Sequence, residues 1–543
     1  MNIDITEDYM FLLCSSDYPA EMEYLTKFLT REIDNAWIME KTIPNISTER
    51  CFINSYGMVP VGLWLEVLKF CKSNNIYFEL SERAMTYMNQ FTLDYNEFVT
   101  WVNNLFDGAE YVNAKGVTVP FAPRDYQINA AYNLLKYKKC CGEISTSAGK
   151  TLISFIIFKW LIHQIGLKRL LYIVPNAELA VQSAEKYVLY ESYLKTKAEA
   201  WECGILKSNL KVKEKKKVES CNILFGTYQS LNKKKVDFFK DFVACIEDEC
   251  HHGAANSLLN ILNKCHNVQW SIGVTGTFPK TDTLSNLMIQ SSLGPVIYRL
   301  TSDELINKEK SATPIYVVFE IMKWANDEER MNLFYQRCQK ATEEGQNDLT
   351  LGSRLLKQEQ QFINESYARL KYIGDMAIKM AKNTLILFGD IKGGYGQRLA
   401  EYIKNNSDKD VFYVDGSTPP ETREYYNQRC EADNNGKTVI VASIGTYKEG
   451  VDIANIWSIF LVNSAKSENT VRQICGRGLR MFPGKDKTVL YDFIDDLRPN
   501  RSIVTKDTET YYENYMWKHY LARHKIYDEQ HFPSYTQKIT FTS

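Results

Sequence analysis

Ser145-Thr146-Ser147-Ala148-Gly149-Lys150-Thr151 is the stretch whose reading decides the fold. It lies between an apolar-leaning segment and the helix-like run Leu152–Ile162. Small residues ending in Gly-Lys-Thr ahead of a helix make a phosphate cradle, because main-chain N–H groups and the helix N-terminus face the anion. In such a cradle Ser147, Ala148 and Gly149 supply the loop, Lys150 reaches the β- and γ-phosphates of a triphosphate, and Thr151 holds Mg²⁺. The strict pattern asks for Gly five residues before Gly149, and Ile144 stands there.

Composition narrows the setting. A chain of 543 residues is too long for one core, so three or four domains are expected. With 45% hydrophobic and 24% charged residues it reads as globular. No apolar run approaches about 18 residues, so no membrane span is expected. The N-terminus MNIDITEDYMFLL is acidic where a secretory signal would be basic. Thirteen cysteines lack CxxC or paired Cys/His spacing and read as reduced thiols of a cytoplasmic protein. The net charge of −1 excludes a broadly basic nucleic-acid footprint, so any such binding has to use local patches. Lys207–Lys217 and Lys233-Lys234-Lys235 are candidates, and each also reads as a solvated loop.

Hydrophobic patterning sets the organisation. Residues 1–115 mix a strand-like piece, Ile76–Leu80, with an amphipathic helix, Gly62–Ser73, and read as a small α+β domain. Over 116–305, apolar runs at Leu170–Val174, Ile223–Phe225, Phe242–Ile246 and Ser271–Thr275 alternate with helical stretches. That pattern predicts a parallel sheet covered on both faces. Residues 306–372 read as a linker and polar helical segment. Strand runs return over 373–500, at Thr384–Phe388, Val411–Val414, Thr438–Ala442, Ser458–Val462 and Thr488–Tyr491. Residues 501–543 read as a tail. Two α/β lobes, one with a phosphate loop, predict a ligand between them.

Other constellations add chemistry. Asp248-Glu249-Cys250-His251 follows an apolar strand, where the first carboxylate would hold Mg²⁺ and the second would polarise the attacking water. Thr275-Gly276-Thr277 follows a further strand, and its hydroxyls could link the Mg²⁺ site to the opposite lobe; by itself it is an ordinary turn. Gln473-Ile474-Cys475-Gly476-Arg477-Gly478-Leu479-Arg480 puts two arginines three apart, on one face if helical. An arginine finger needs such a fixed positive fork aimed at the γ-phosphate from outside the binding lobe. Arg124-Asp125-Tyr126-Gln127 stands upstream of the phosphate loop, and a glutamine amide can pair with adenine N6 and N7.

In order and spacing, these residues resemble a superfamily 2 DExH helicase over 118–500. Arg124 and Gln127 resemble the adenine-reading motif, and STSAGKT resembles motif I, with Ser147 where the family often has Gly. Val174-Pro175-Asn176 with Gln182 resembles motif Ia, and Phe225-Gly226-Thr227-Tyr228-Gln229 the next strand-contact motif. Asp248–His251 resembles motif II and Thr275–Thr277 motif III. Thr384–Phe388 resembles motif IV, and Asp415-Gly416-Ser417 with Arg423 a strand-contact segment. Ala442-Ser443 through Gly450 and Asp452 resembles motif V, and Gln473–Arg480 motif VI. Within the superfamily the chain is similar to the phage UvsW-type recombination helicases, in the phrase TSAGK and in the segment Tyr56–Leu63 followed by a helix with Lys69-Phe70-Cys71.

The resemblance implies two tandem RecA-like lobes preceded by a small N-terminal domain that contacts nucleic acid. It implies catalysis by Lys150, Asp248, Glu249, Gln473, Arg477 and Arg480, with ATP and Mg²⁺ as cofactors; Gly450 and Asp452 join the nucleotide site. Nucleic acid would be held by Pro175, Gln182, Thr227, Gln229, Gly416, Arg423 and Ser443 without sequence specificity. The expected activity is an ATP-dependent DNA helicase or translocase on branched or forked DNA. The enzyme is expected to act as a monomer in the cytoplasm (the host's, if phage-encoded). An RNA helicase, the motor subunit of a restriction-type complex, and a binding module with a vestigial nucleotide site are the alternatives. The last would be favoured by loss of Lys150, Asp248, Glu249 or Arg477, and all four are present.

Overall fold

The computed structural model describes the chain except for residues 34–46, 90–92, 113–116, 167, 196–200, 208–211, 255, 281–282, 325–333, 337, 339, 341–350, 390–392, 448–452, 464, 466, 499–513 and 541–543. It divides into two compact units, Met1–Leu300 and Thr301–Ser543.

The first unit is built on a seven-stranded parallel sheet in the spatial order Cys203–Leu206, Ile223–Thr227, Arg169–Val174, Phe242–Asp248, Trp270–Thr275, Lys139–Ile144, Val296–Leu300. The runs read as strands from their unbroken apolar character are all present. The strand feeding the phosphate loop, Lys139–Ile144, lies inside the sheet between Trp270–Thr275 and Val296–Leu300. The helix after the loop, Lys150–Ile165, is predominantly apolar and buries every residue from Leu152 to Ile162, Lys159 being paired with Glu191. Such a helix is an interior element rather than a surface one. At roughly 1.5–3 kcal/mol for each large apolar side chain removed from water, it anchors the loop at its N-terminus firmly.

The N-terminal residues form a mixed four-stranded sheet, Met58–Pro60, Phe11–Ser15, Asn2–Ile5 and Glu79–Leu80. The helix expected over Gly62–Ser73 begins as a 3-10 turn, Val61–Leu63, and continues as Trp64–Ser73. This region shares its core with the seven-stranded layer of the same unit. Its buried residues (Ile3, Leu12, Val59, Val67 and neighbours) are continuous with Leu287 and Met288 of helix Leu284–Leu293. Gly62 makes the approach possible, since a Cβ there would collide with the Gln290 carbonyl oxygen.

The second unit holds another seven-stranded parallel sheet: Asp410–Val414, Thr438–Ser443, Thr384–Phe388, Ser458–Leu461, Thr488–Asp496, Ile315–Lys323, Ser534–Thr540. Two strands fall outside the expected 373–500. Ile315–Lys323 belongs to the sheet, not to a linker. Ser534–Thr540 is its edge strand, and helix Tyr515–Glu529 packs on Thr488–Asp496, so the described part of 501–543 is an integral layer rather than a tail. Two buried ion pairs brace the strand Thr488–Asp496, and the second ties helix Tyr515–Glu529 to it. Arg369 meets Asp495 at 2.9 Å through both Nε and Nη2. Arg523 meets Asp492 at 2.7 and 2.8 Å. The acidic run Asp492–Asp496, which could be mistaken for a nuclease motif, is occupied by these structural pairs and by Arg498 on Asp496.

All thirteen cysteines are thiols outside any disulfide, and all but Cys51 are buried. No helix of the described residues is long and apolar enough to cross a membrane.

Candidate active site

The phosphate loop leaves its strand with Ser145, whose N–H donates to the Leu300 carbonyl at 2.9 Å. Ser147 and Gly149 both adopt left-handed backbone, φ 73° and 84°. That geometry costs a serine of the order of 1 kcal/mol and suits glycine, so Ser147 stands where the family usually has Gly at a real conformational cost. Gly149 then caps helix Lys150–Ile165, which points its free N–H groups at the loop.

Gln127 sits in the first turn of helix Asp125–Tyr137. Its Oε1 accepts from the Arg124 N–H at 2.9 Å, and its Nε2 donates to the Ala148 carbonyl at 2.9 Å. Expected as an adenine reader, Gln127 here braces the phosphate loop; each amide group keeps capacity for one more bond. Arg124 Nη1 lies on the Tyr126 hydroxyl at 3.2 Å.

The acid pair closes the central strand Phe242–Asp248 at the same C-terminal end of the parallel sheet as the phosphate loop. Lys150 Nζ is 3.3 Å from Glu249 Oε1. Glu249 has left-handed backbone, φ 54°, a strained placement of the kind that clusters at functional sites. Asp248 accepts from the Tyr172 hydroxyl at 3.0 Å and from the Glu249 N–H at 3.0 Å. Burial raises the Asp248 carboxyl, helped by Glu249 and opposed by Lys150 and Tyr172. Burial pushes Glu249 the same way, but Lys150 and His251 outweigh it and hold Glu249 below its ordinary value. Burial likewise opposes the charge on Lys150, and the two carboxylates overcome it and raise the ammonium. The site is therefore a compact alternation of one cation and two carboxylates, with Glu249 firmly ionised.

Motif III completes this end of the sheet. The Thr275 hydroxyl lies 2.7 Å from His251 Nδ1 and 3.4 Å from Glu249 Oε2. A Cβ on Gly276 would stand 3.0 Å from the Thr146 hydroxyl, so the turn packs directly on the phosphate loop. Thr275–Thr277 thus reads Glu249 and His251 within its own lobe.

Of the first unit's nucleic-acid candidates, Pro175 and Thr227 lie at strand ends, and Gln182 and Gln229 lie on the helices that follow. Pro175 follows Arg169–Val174, and Gln182 is on helix Ala177–Tyr193, capped by Asn176 on the Leu179 N–H at 2.9 Å. Thr227 caps helix Tyr228–Asn232, on which Gln229 is exposed. Two tyrosines to which sequence reasoning assigned no role at the acid pair support strand Phe242–Asp248. Tyr172 holds Asp248, and the Tyr228 hydroxyl bonds Glu247, a fully buried carboxyl raised well above its ordinary value by burial. Nothing local marks Tyr172, which reads as an ordinary core aromatic.

In the second unit, Gly416 is exposed in a turn where Asp415 Oδ1 accepts from the Ser417 N–H at 2.9 Å. Arg423, on helix Pro420–Ala432, donates to the Thr418 carbonyl at 2.9 Å. Ser443 ends strand Thr438–Ser443 and pairs with the Thr446 hydroxyl at 2.7 Å. Gly450 and Asp452 lie outside the described residues. Gln473 and Arg477 are four apart on helix Glu468–Gly478, so they share a face. The expectation that Arg477 and Arg480 share one helical face is corrected: the helix ends at Gly478, and Arg480 lies beyond its cap.

Residues 120–280 match the family described as type III restriction enzyme, res subunit, and residues 368–482 match the helicase conserved C-terminal domain, together about half of the chain. The chain belongs to the superfamily 2 helicases, and it is a nucleotide-using helicase enzyme. It is 24% identical over 480 residues to the ATP-dependent DNA helicase uvsW of Enterobacteria phage T4, covering 88% of this chain and 87% of that protein. It is 26% identical over 393 residues to the protein IRC3 of Saccharomyces cerevisiae, covering 68% of this chain and 51% of that one. Among solved structures, the ATP-dependent type ISP restriction-modification enzyme LlaBIII bound to DNA aligns with a TM-score of 0.54 at 15% identity, over 79% of this chain and 32% of that chain. The last likeness is one of fold.

Proposed function

We propose that this enzyme is an ATP-dependent DNA helicase or translocase that remodels branched replication or recombination intermediates, acting as a monomer in the cytoplasm, the host's if it is phage-encoded. The observation that carries the catalytic part is Lys150 Nζ at 3.3 Å from Glu249 Oε1, beside Asp248, at the mouth of the phosphate loop. A lysine kept charged by two carboxylates at a helix N-terminus suits a β/γ-phosphate that takes over its contact. Glu249, ionised, is then released to polarise the attacking water. Thr151 and Asp248 offer a hydroxyl and a carboxylate of the kind Mg²⁺ takes. Mg²⁺, when bound, neutralises charge on the phosphate oxygens.

From the second lobe, we assign Gln473, Arg477 and Arg480 to the γ-phosphate, with Gly450 and Asp452 in the same nucleotide site. Pro175, Gln182, Thr227, Gln229, Gly416, Arg423 and Ser443 are assigned to the nucleic-acid backbone, on strand ends, in a turn and on the helices that follow the strands, where main-chain, hydroxyl, amide and guanidinium groups suit phosphates. The choice of DNA draws on the likeness to the phage T4 DNA helicase over most of both chains.

The test is ATP hydrolysis and strand displacement on forked, four-way and linear DNA, with RNA controls. Forked and four-way DNA are expected to stimulate hydrolysis most, and Lys150→Ala to abolish it. Wild-type hydrolysis by Lys150→Ala would overturn the site, and stimulation by RNA alone would overturn the substrate.

A further inference from the structure

The loop after helix Glu468–Gly478 holds a cation that the proposed catalytic steps do not use. Gly484, at φ 82°, turns the chain, and the half-buried Lys485 folds back beneath the helix end. Its Nζ donates to three main-chain carbonyls: Gly478 at 3.2 Å, Arg480 at 2.9 Å and Ala454 at 3.1 Å. An ammonium has three donors, so all of them are committed. Two of the carbonyls belong to the end of the segment that carries Arg477 and Arg480. The third lies two residues past Asp452.

The Ala454 end is tied further back. The N–H groups of Ala454 and Asn455 donate to Glu431 Oε2 at 2.9 and 3.1 Å. Asn455 Nδ2 reaches the Asp433 carbonyl at 2.7 Å. Glu431 is in the last turn of helix Pro420–Ala432, the helix that carries Arg423. Hydrogen bonds therefore run from that helix, through Glu431, to Lys485 and the arginine segment.

The placement is expensive, which argues against a chance surface contact. Burial, and then the charge of Arg480, lower the Lys485 ammonium to about 7. A cation at a helix C-terminus is favoured by the helix dipole and by the free carbonyls there.

We propose that Lys485 is a positioning residue: it fixes the arginine segment against the end of motif V, so that engagement of nucleic acid by the second lobe is felt at the γ-phosphate. The proposal rests on the assignment of Arg477 and Arg480 to that phosphate. The experiment compares full-length Lys485→Met, Lys485→Arg and Arg477→Ala in steady-state ATP hydrolysis with saturating forked DNA. A misplacement of about 1 Å costs roughly ten- to a hundred-fold in rate. Lys485→Met is therefore expected to lower kcat by that factor, with KM for ATP and affinity for forked DNA changed by less than about threefold, and Lys485→Arg is expected to restore most of the rate. A Lys485→Met enzyme with wild-type kcat overturns the proposal, as does a loss carried entirely in KM. If Lys485→Met is not recovered folded, Lys485→Gln is judged by the same criteria. If Arg477→Ala hydrolyses ATP at the wild-type rate, the reading of the arginines fails and Lys485 falls with it. If Arg477→Ala is inactive while Lys485→Met is not, only the Lys485 proposal fails.

Discussion

Arg523 offers the sharpest test of how the second unit is held together. It lies on helix Tyr515–Glu529, beyond the residues expected to form the lobe, and is 1% exposed. Besides its two bonds to Asp492, it donates from Nη1 to the Ala465 carbonyl at 3.0 Å, and the Tyr527 hydroxyl donates to Asp492 at 3.2 Å. Burial opposes the guanidinium charge, but Asp492 outweighs it and holds Arg523 above its ordinary value. Arg523→Met leaves Asp492 buried without its counter-charge, a loss of about 3–5 kcal/mol. For a unit of this size, each kcal/mol moves the melting temperature by roughly 2–4 °C, so the transition of the second unit should fall by about 6–20 °C. Arg523→Met combined with Asp492→Leu removes both charges and should recover most of that loss, giving a coupling of at least about 2 kcal/mol in the cycle. Calorimetric melting of the full chain, with hydrogen exchange over 515–540 to assign the transition, measures both quantities. A single variant that shifts the melting by less than about 2 °C, or a double variant no better than the single, would refute the reasoning.

Three further outcomes are expected. Glu359 is 4% exposed and accepts the N–H groups of Tyr515 and Met516 at 2.8 and 2.9 Å, and burial raises its carboxyl from 4.5 to about 7. The folded chain then keeps a proton that the unfolded chain has released, so stability falls as pH rises from about 4.5 to about 7 and levels off above, by at most about 3 kcal/mol; denaturant midpoints at pH 5 and 8 should show this slope in wild type and its loss in Glu359→Gln. Gly149→Ala is strained at φ 84° and drives a methyl into Gln127 Nε2, so it should weaken binding of a fluorescent ATP analogue by more than about tenfold with the fold unchanged by circular dichroism. Tyr172→Phe removes a hydrogen bond to Asp248, which as a charge-assisted bond is worth about 1.5–3 kcal/mol, and should lower kcat by about tenfold or more; an unchanged kcat would separate Tyr172 from the site.

What was legible in the sequence was chemistry carried by contiguous residues. A phosphate loop, an acid pair and a Gly-Arg-Gly helix each need their residue types within a few positions, and short β-rich apolar runs alternating with helical stretches read as interior strands. What was missed depends on register or on a distant partner. Tyr172 acquires its role because Arg169–Val174 pairs in parallel with Phe242–Asp248, with Tyr172 beside Ile246, which brings a hydroxyl to Asp248 two residues further on. Ser534–Thr540 is nearly all exposed and polar, so no hydrophobic signal betrays it; it is a strand because Ile315–Lys323 offers it seven paired positions.

Arg480 shows why helix ends are the hardest feature to read. Three-residue spacing suggested one helical face; Gly476, Gly478 and Pro483 are all poor helix residues, so propensity signals a stop without saying which side of Arg480 it falls on. The stop is placed by groups far away in sequence or on the next loop: Thr313 donates to the Arg480 carbonyl at 2.9 Å, Thr488 to the Gly478 carbonyl at 2.8 Å, and Lys485 to both. These donors satisfy carbonyls that a continuing helix would have satisfied itself, so ending the helix there costs no hydrogen bond. The same donors are what hold Arg480 in place. The feature that hid the end of motif VI from the sequence is thus the one that gives its second arginine a defined position, which ties the error in the helical reading to the role assigned to Lys485.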